Sequence, residues 1–132
     1  MGFKQATTMI GNAANFEQVP ATAGESYAVG EALVLSGGAA TKCGATATPE
    51  FICQQQLSGA GAGDQLAVTR VSELQELETT LSAAGTALKV GDKVTLHTDG
   101  EQVTATTASG VFMISAILDT AVGGKVRGYF RR

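Results

Sequence analysis

Two stretches decide how this chain reads: Val29-Gly-Glu-Ala-Leu-Val-Leu-Ser-Gly-Gly38 and Val90-Gly-Asp-Lys-Val-Thr-Leu-His-Thr-Asp-Gly100. Each opens on Val-Gly-acid, continues as a strand-like run and closes on a turn dipeptide. Such a run before Gly-Gly or Asp-Gly marks a β-hairpin. Sliding the chain on itself by 61 positions lays one stretch on the other. Ala23-Gly24 then falls on Ala84-Gly85, and Leu33 and Leu35 fall on Val94 and Leu96. Further along, Phe51 meets Phe112, Leu57 meets Leu118, Gly63 meets Gly124 and Arg70 meets Arg131. The turn dipeptides miss by one residue, which predicts a compensated insertion in that hairpin.

The pattern predicts two related halves, about 23–71 and 84–132, within a single β-rich domain of residues 23–132. Each half supplies about four short strands, too few to bury both faces alone. Two such halves bury a shared core by packing together or by closing into a barrel. The expected fold is therefore mainly β, a small β-barrel or β-sandwich. Its strands fall at 27–35, 39–48, 51–57, 65–71, 90–98, 101–107, 111–118 and 125–132. One helix interrupts them, at about 73–84. Ser72 with Gln75 reads as a capping box, Glu73 and Glu76 suit the first turns, Leu74, Leu77 and Leu81 form an apolar stripe, and Gly85 is a natural stop. Residues 1–22 are polar and weakly periodic. They read as an extended N-terminal arm or as an edge strand plus loop, and the sequence leaves both open.

The 132 residues suit one domain with its own core. Nine Lys+Arg against 12 Asp+Glu give a net charge of −3, without the basic excess of a general nucleic-acid binder. A single His removes every mechanism that needs two. Cys43 and Cys53 form neither a CxxC pair nor a metal quartet, and reduced thiols are the expectation for a chain made in a cytoplasm. No signal-like opening and no apolar run long enough to cross a membrane is expected.

Chemistry-bearing motifs are sparse. Gly59-Ala-Gly-Ala-Gly63-Asp64 leads into a strand, whereas a phosphate-binding glycine loop must lead into a helix. Gly123-Gly124-Lys125 lacks the rest of a P-loop. His97 and Asp99 share a strand face, yet two ligands do not make a metal site. Asp64, Asp92 and Glu31 stand at turns or strand starts. Tyr129-Phe-Arg-Arg132 reads as a last strand with a solvated end. No catalytic residue, cofactor or metal is expected, and the chain does not read as an enzyme.

The run from Val29 to Gly44, then Ala47-Thr-Pro-Glu-Phe-Ile-Cys53, and the second Gly91-Asp-Lys-Val94, resemble the small capsid decoration (cement) proteins of tailed bacteriophages. The resemblance covers about residues 24–132 and is one of texture and order. It implies a structural protein on the outer surface of an expanded phage capsid, clamping neighbouring major-capsid subunits. It further implies a homotrimer, made in the host cytoplasm and carried on the virion, without direct nucleic-acid or membrane contact. N-terminal arms of similar proteins lie along the shell and add a strand to it. Phe3, Met9, Ile10 and Phe16, isolated apolar residues in a polar stretch, are the expected partner-binding anchors. The competing readings are a small sugar- or peptide-binding β-barrel and another virion part, such as a head-fibre or tail subunit.

Overall fold

A computed structural model describes residues 2–8 and 16–130. The described residues form ten strands and no helix: β1 (Lys4–Thr8), β2 (Phe16–Pro20), β3 (Ala32–Ser36), β4 (Ala39–Lys42), β5 (Phe51–Cys53), β6 (Gln65–Arg70), β7 (Gln75–Thr80), β8 (Lys93–Val94), β9 (Phe112–Ile117) and β10 (Lys125–Phe130). They pair as two five-stranded antiparallel sheets. Sheet 1 has the order β2-β6-β5-β3-β4, and sheet 2 the order β1-β7-β10-β9-β8.

With β1 and β4 set aside, both sheets are wired alike. β2, β6, β5 and β3 take the places of β7, β10, β9 and β8. The backbone bonds recur too. Gly30 N–H donates to Cys53 O, and 61 positions on Gly91 N–H donates to Ile114 O, both at 2.8 Å. Cys53 N–H returns to Glu31 O as Ile114 N–H does to Asp92 O, and Glu50 N–H to Leu33 O as Val111 N–H to Val94 O. Ala21 N–H to Asp64 O recurs 60 positions on, as Leu81 N–H to Gly124 O. A parallel bridge, Ala21↔Ala40 in one half and Leu81↔Val103 in the other, ties the strand-end beyond β2 or β7 to the far limb of the hairpin. Each sheet thus curls towards itself.

Two clusters fill the interior. One gathers Leu33, Phe51, Cys53, Leu66, Val68, Val19 and Tyr27 on one face of sheet 1. The other gathers Leu77, Leu81, Val94, Phe112, Ile114, Val126 and Phe130 of the second half together with Ala32, Cys43 and Ile52 from the first. Side chains alternate across a strand, so Phe51 and Cys53 serve one cluster while Ile52 serves the other. β5 is accordingly buried on both faces.

The expected helix at about 73–84 is not formed; its place is taken by β7. Ser72 does start a local structure, but only a turn. Its Oγ accepts Leu74 N–H at 3.1 Å and its carbonyl accepts Gln75 N–H at 3.1 Å. The leucine spacing was ambiguous, because Leu77 and Leu81 share a face in a strand as well as in a helix. Leu74 separates the two: it belongs to a helical stripe but has the wrong parity for the strand, and it is 43% exposed. The acidic residues suit the strand through their neighbours. Glu78 lies opposite Lys4 on β1 and Arg127 on β10, and pairs with both, at 3.2 and 3.1 Å.

Other elements are shorter than the sequence suggests. The 39–48 run is a regular strand only as β4, 51–57 only as β5 and 90–98 only as β8. The 101–107 return limb is no regular strand. It meets its partner through the Leu96↔Val103 bridge and the bond from His97 N–H to Gln102 O. Gly37 and Gly38 both take positive φ, at 60° and 84°, as a two-residue type I′ turn requires. Asp99 does not, and the second hairpin closes through a wider loop. Asp99 Oδ1 there accepts the N–H groups of Glu101 and Gln102. Of the 1–22 stretch, the described residues belong to the fold itself, β1 edging sheet 2 and β2 edging sheet 1. Main-chain pairing gives these polar segments a place that their weak periodicity did not signal.

Candidate functional site

The four expected anchors part company. Phe3 is buried, 2% exposed, in the second-half cluster. Its ring lies 5.7 Å from Phe112 and 5.1 Å from Phe130, and its N–H donates to Gly30 O at 2.8 Å. It joins the halves and is not presented to a partner. Phe16, at the start of β2, is 72% exposed. Met9 and Ile10 lie outside the described residues.

Asp99, Asp64, Cys43 and Cys53 are engaged in local structure. Asp99 binds its own loop through Glu101 N–H, Gln102 N–H and Gln102 Nε2. Burial works to raise its carboxyl, but these bonds, led by the Gln102 side chain, hold it below its ordinary value. Asp64 closes the 59–64 loop by accepting Gly61 N–H at 2.8 Å, and the loop feeds β6. Both cysteines are free and buried. Cys43 Sγ donates to Gly44 O and Ala47 O, and burial pushes its thiol up to about 11. Cys53 Sγ donates to Gln55 O, and its thiol is raised by the same cause. Thiols so held are poor nucleophiles. Among the described residues no group of three His, Cys, Asp or Glu could hold a metal ion. The described residues contain no helix long and apolar enough to cross a membrane.

What the surface offers instead is a pair of turns. Ala28-Val-Gly-Glu31 and Lys89-Val-Gly-Asp92 close the same way: the acid's N–H donates back three residues, and its carboxylate takes that residue's N–H. Both lift their valine into water, Val29 at 53% and Val90 at 66% exposure. A β-branched apolar side chain gains nothing from that position in the isolated fold. Val29 also lines a cleft of about 240 Å³ with Gly2, Phe3, Lys4, Glu78 and Lys125. The sequence held this signal, since the two Val-Gly-acid tripeptides superpose in the repeat, but it identified them only as strand starts.

No protein-family model matches the chain, and no curated protein matches it.

Proposed function

We propose that this protein is a structural binder of the capsid-decoration class, seated on the outer surface of an expanded phage capsid and clamping neighbouring major-capsid subunits. It acts by contact and carries out no reaction. The observation that carries this reading is the doubled presentation of one exposed turn, Val29 and Val90, on two units of the same wiring. Two equal contacts on one body bind a repeating surface through effective concentration, each contact remaining weak. Assembly as a homotrimer multiplies them again. Phe16 is a further apolar anchor on this reading, and Phe3 is not. The resemblance in residues 24–132 supports the same class.

The test is co-sedimentation with expanded empty capsids, with solution mass measured by light scattering. Saturable binding at a fixed ratio to the major capsid protein is the expected result. Val29→Ser and Val90→Ser are each expected to weaken binding by about 100-fold or more, since avidity is lost with either contact, and the double variant to abolish saturable binding. All three should fold normally, because both valines stand in water. Saturable wild-type binding that the double variant retains in full would reject the turns as the contact. No binding to any shell would reject the class and turn attention to a small-ligand β-barrel.

A further inference from the structure

Glu31 sits where the halves meet. Ala32 N–H donates across the junction to Gly100 O at 2.7 Å, and Leu96 N–H donates to Ala45 O at 2.9 Å. Gly100 presses on this point so closely that a Cβ there would lie 3.2 Å from Glu31 Cγ and 3.1 Å from Lys42 Cγ. The Glu31 side chain is covered as a result, with 4% of the residue exposed. Its Oε1 meets Ala28 N–H only at 3.4 Å, and its Oε2 has no hydrogen-bond partner. The counterpart Asp92 performs the same turn closure without a cover. Lys89 N–H reaches its Oδ2 at 2.9 Å, and the residue is half-buried. A turn closure that is ordinary in one half is, in the other, shut beneath its neighbour with one oxygen unsatisfied. A buried carboxylate oxygen without a donor is costly, and the neutral acid far less so.

The charges around Glu31 do not remedy this. Lys42, next along the hairpin, attracts the carboxylate, while Glu25 and Glu101 repel it. Glu25 is occupied by Thr41 Oγ1 and Lys42 N–H. Asp99 and His97 stand in the covering turn, where Asp99 is committed to Gln102 and Glu101. Cys53, on the neighbouring strand, carries a thiol that donates to Gln55 O.

We propose that Glu31 is a proton-operated latch between the two halves: with its carboxyl protonated the 97–102 turn stays seated, and with it ionised the turn lifts from the first half. Burial raises the Glu31 carboxyl above the ordinary carboxylate value in the closed state, and lifting the turn restores water to it. Closed protein therefore binds more protons than open protein between the two values. Opening is favoured as pH rises through that window and levels off above it, about tenfold for each unit separating them. The inference stands on the junction itself, whatever surface the protein binds.

The experiment follows the Ala32 amide, whose bond crosses the junction, by NMR hydrogen exchange from about pH 5 to about pH 8, after correction for intrinsic rates. The protection factor is expected to fall as pH rises in the wild type. In Glu31→Gln, which keeps the size and the Oε1 acceptor, it should stay flat. Asp92→Asn should behave like the wild type. The wild-type Glu31 carboxyl carbon, titrated alongside, should have its midpoint above the ordinary Glu range, and this reading needs no variant to fold. An ordinary midpoint, or the same pH slope in Glu31→Gln as in the wild type, would overturn the latch.

Discussion

The two halves share their wiring but not their surroundings. Sheet 1 is buried on both sides at its centre, along β5 and the start of β3: Leu33 and Phe51 face its own cluster, while Ala32 and Ile52 face the other half. In sheet 2 the counterparts of Ala32 and Ile52 are Lys93, which is exposed, and Met113, which is half-buried. β5 is therefore three buried residues, whereas β9 alternates in its first half. One pattern of strands has been used once as a middle layer and once as an outer layer. What distinguishes the uses is the outward-facing residue set, apolar where a second unit covers it and polar where water does. The lesson is that strand pairing here is a property of each half, while burial is a property of the pair.

The sharpest way to break that comparison is to empty the same place in both cores. Phe51 and Phe112 occupy equivalent positions and are 1% and 0% exposed. Phe→Ala at such sites costs about 3–5 kcal/mol. Phe112 should lie towards the upper end, because it also touches the rings of Phe3 and Phe130, whereas Phe51 adds only the Arg70 guanidinium 4.9 Å from its ring centroid. Urea unfolding of both variants should remain a single transition. Were the Phe51→Ala variant to melt in two steps, with half the far-ultraviolet signal persisting, the halves would be separate folding units and the shared cluster would not couple them.

A smaller contrast sits in the paired turns. Gly30 and Gly91 have φ of 90° and 98°, a region that L-residues avoid. Alanine at either should cost about 1–2 kcal/mol for the backbone alone. Only Gly30 is also crowded: a Cβ there would lie 2.8 Å from Gly2 Cα and 2.9 Å from Phe3 N, while at Gly91 nothing comes within 4 Å. Gly30→Ala should therefore lower the melting temperature clearly more than Gly91→Ala, by displacing the segment that carries Phe3 into the core. Equal effects would mean that the N-terminal contact contributes nothing to the junction.

The same comparison shows how far the sequence could be read. The Val-Gly-acid runs, the Gly37-Gly38 turn and the apolar centres of β3, β5, β9 and β10 announce themselves, because a period of two and a turn dipeptide are local signals. The mainly β class follows from them. β2 and β7 did not announce themselves. Phe16-Glu-Gln-Val-Pro20 and Gln75-Glu-Leu-Glu-Thr-Thr80 are edge or near-edge strands, rich in Glu and Gln, whose stability comes from neighbours far away in sequence. Local propensity then favours a helix for the second and leaves the first open between an extended arm and an edge strand. Yet carrying the repeat back by 60 positions from β7 lands on β2, so an edge strand at 16–20 and a helix at 73–84 cannot both hold for equivalent segments. Of the expected anchors, Phe3 reads as surface in the sequence because its partners, Phe112 and Phe130, lie more than 100 residues on. The exposed valines were visible as letters but not as exposures, since a strand start is as often buried.

The smallest expected effect separates the carboxylates that cross-link each sheet. Glu17 of β2 binds Arg70 of β6 through two 2.9 Å bonds in open solvent. Glu78 of β7 binds Arg127 and Lys4 and is itself 8% exposed. Both carboxyls are held below their ordinary value, Glu17 chiefly by the hydrogen bond from Arg70 and Glu78 by that from Arg127, then Lys4. A depressed acid contributes stability above the unfolded value, about 4.3 for Glu, and loses it as pH falls through the folded value. Glu78→Gln should thus cost about 1 kcal/mol or less at neutral pH, since both cations remain largely in water, and nothing at low pH. Its acid-unfolding curve should be shallower than the wild type's over the same interval. Glu17→Gln should change that curve less, and added salt should erase its effect first, because the pair is screened on every side. If salt removed the two effects together, the cover over Glu78 would be no better than open water, and the second sheet would be tied along this edge no more firmly than the first.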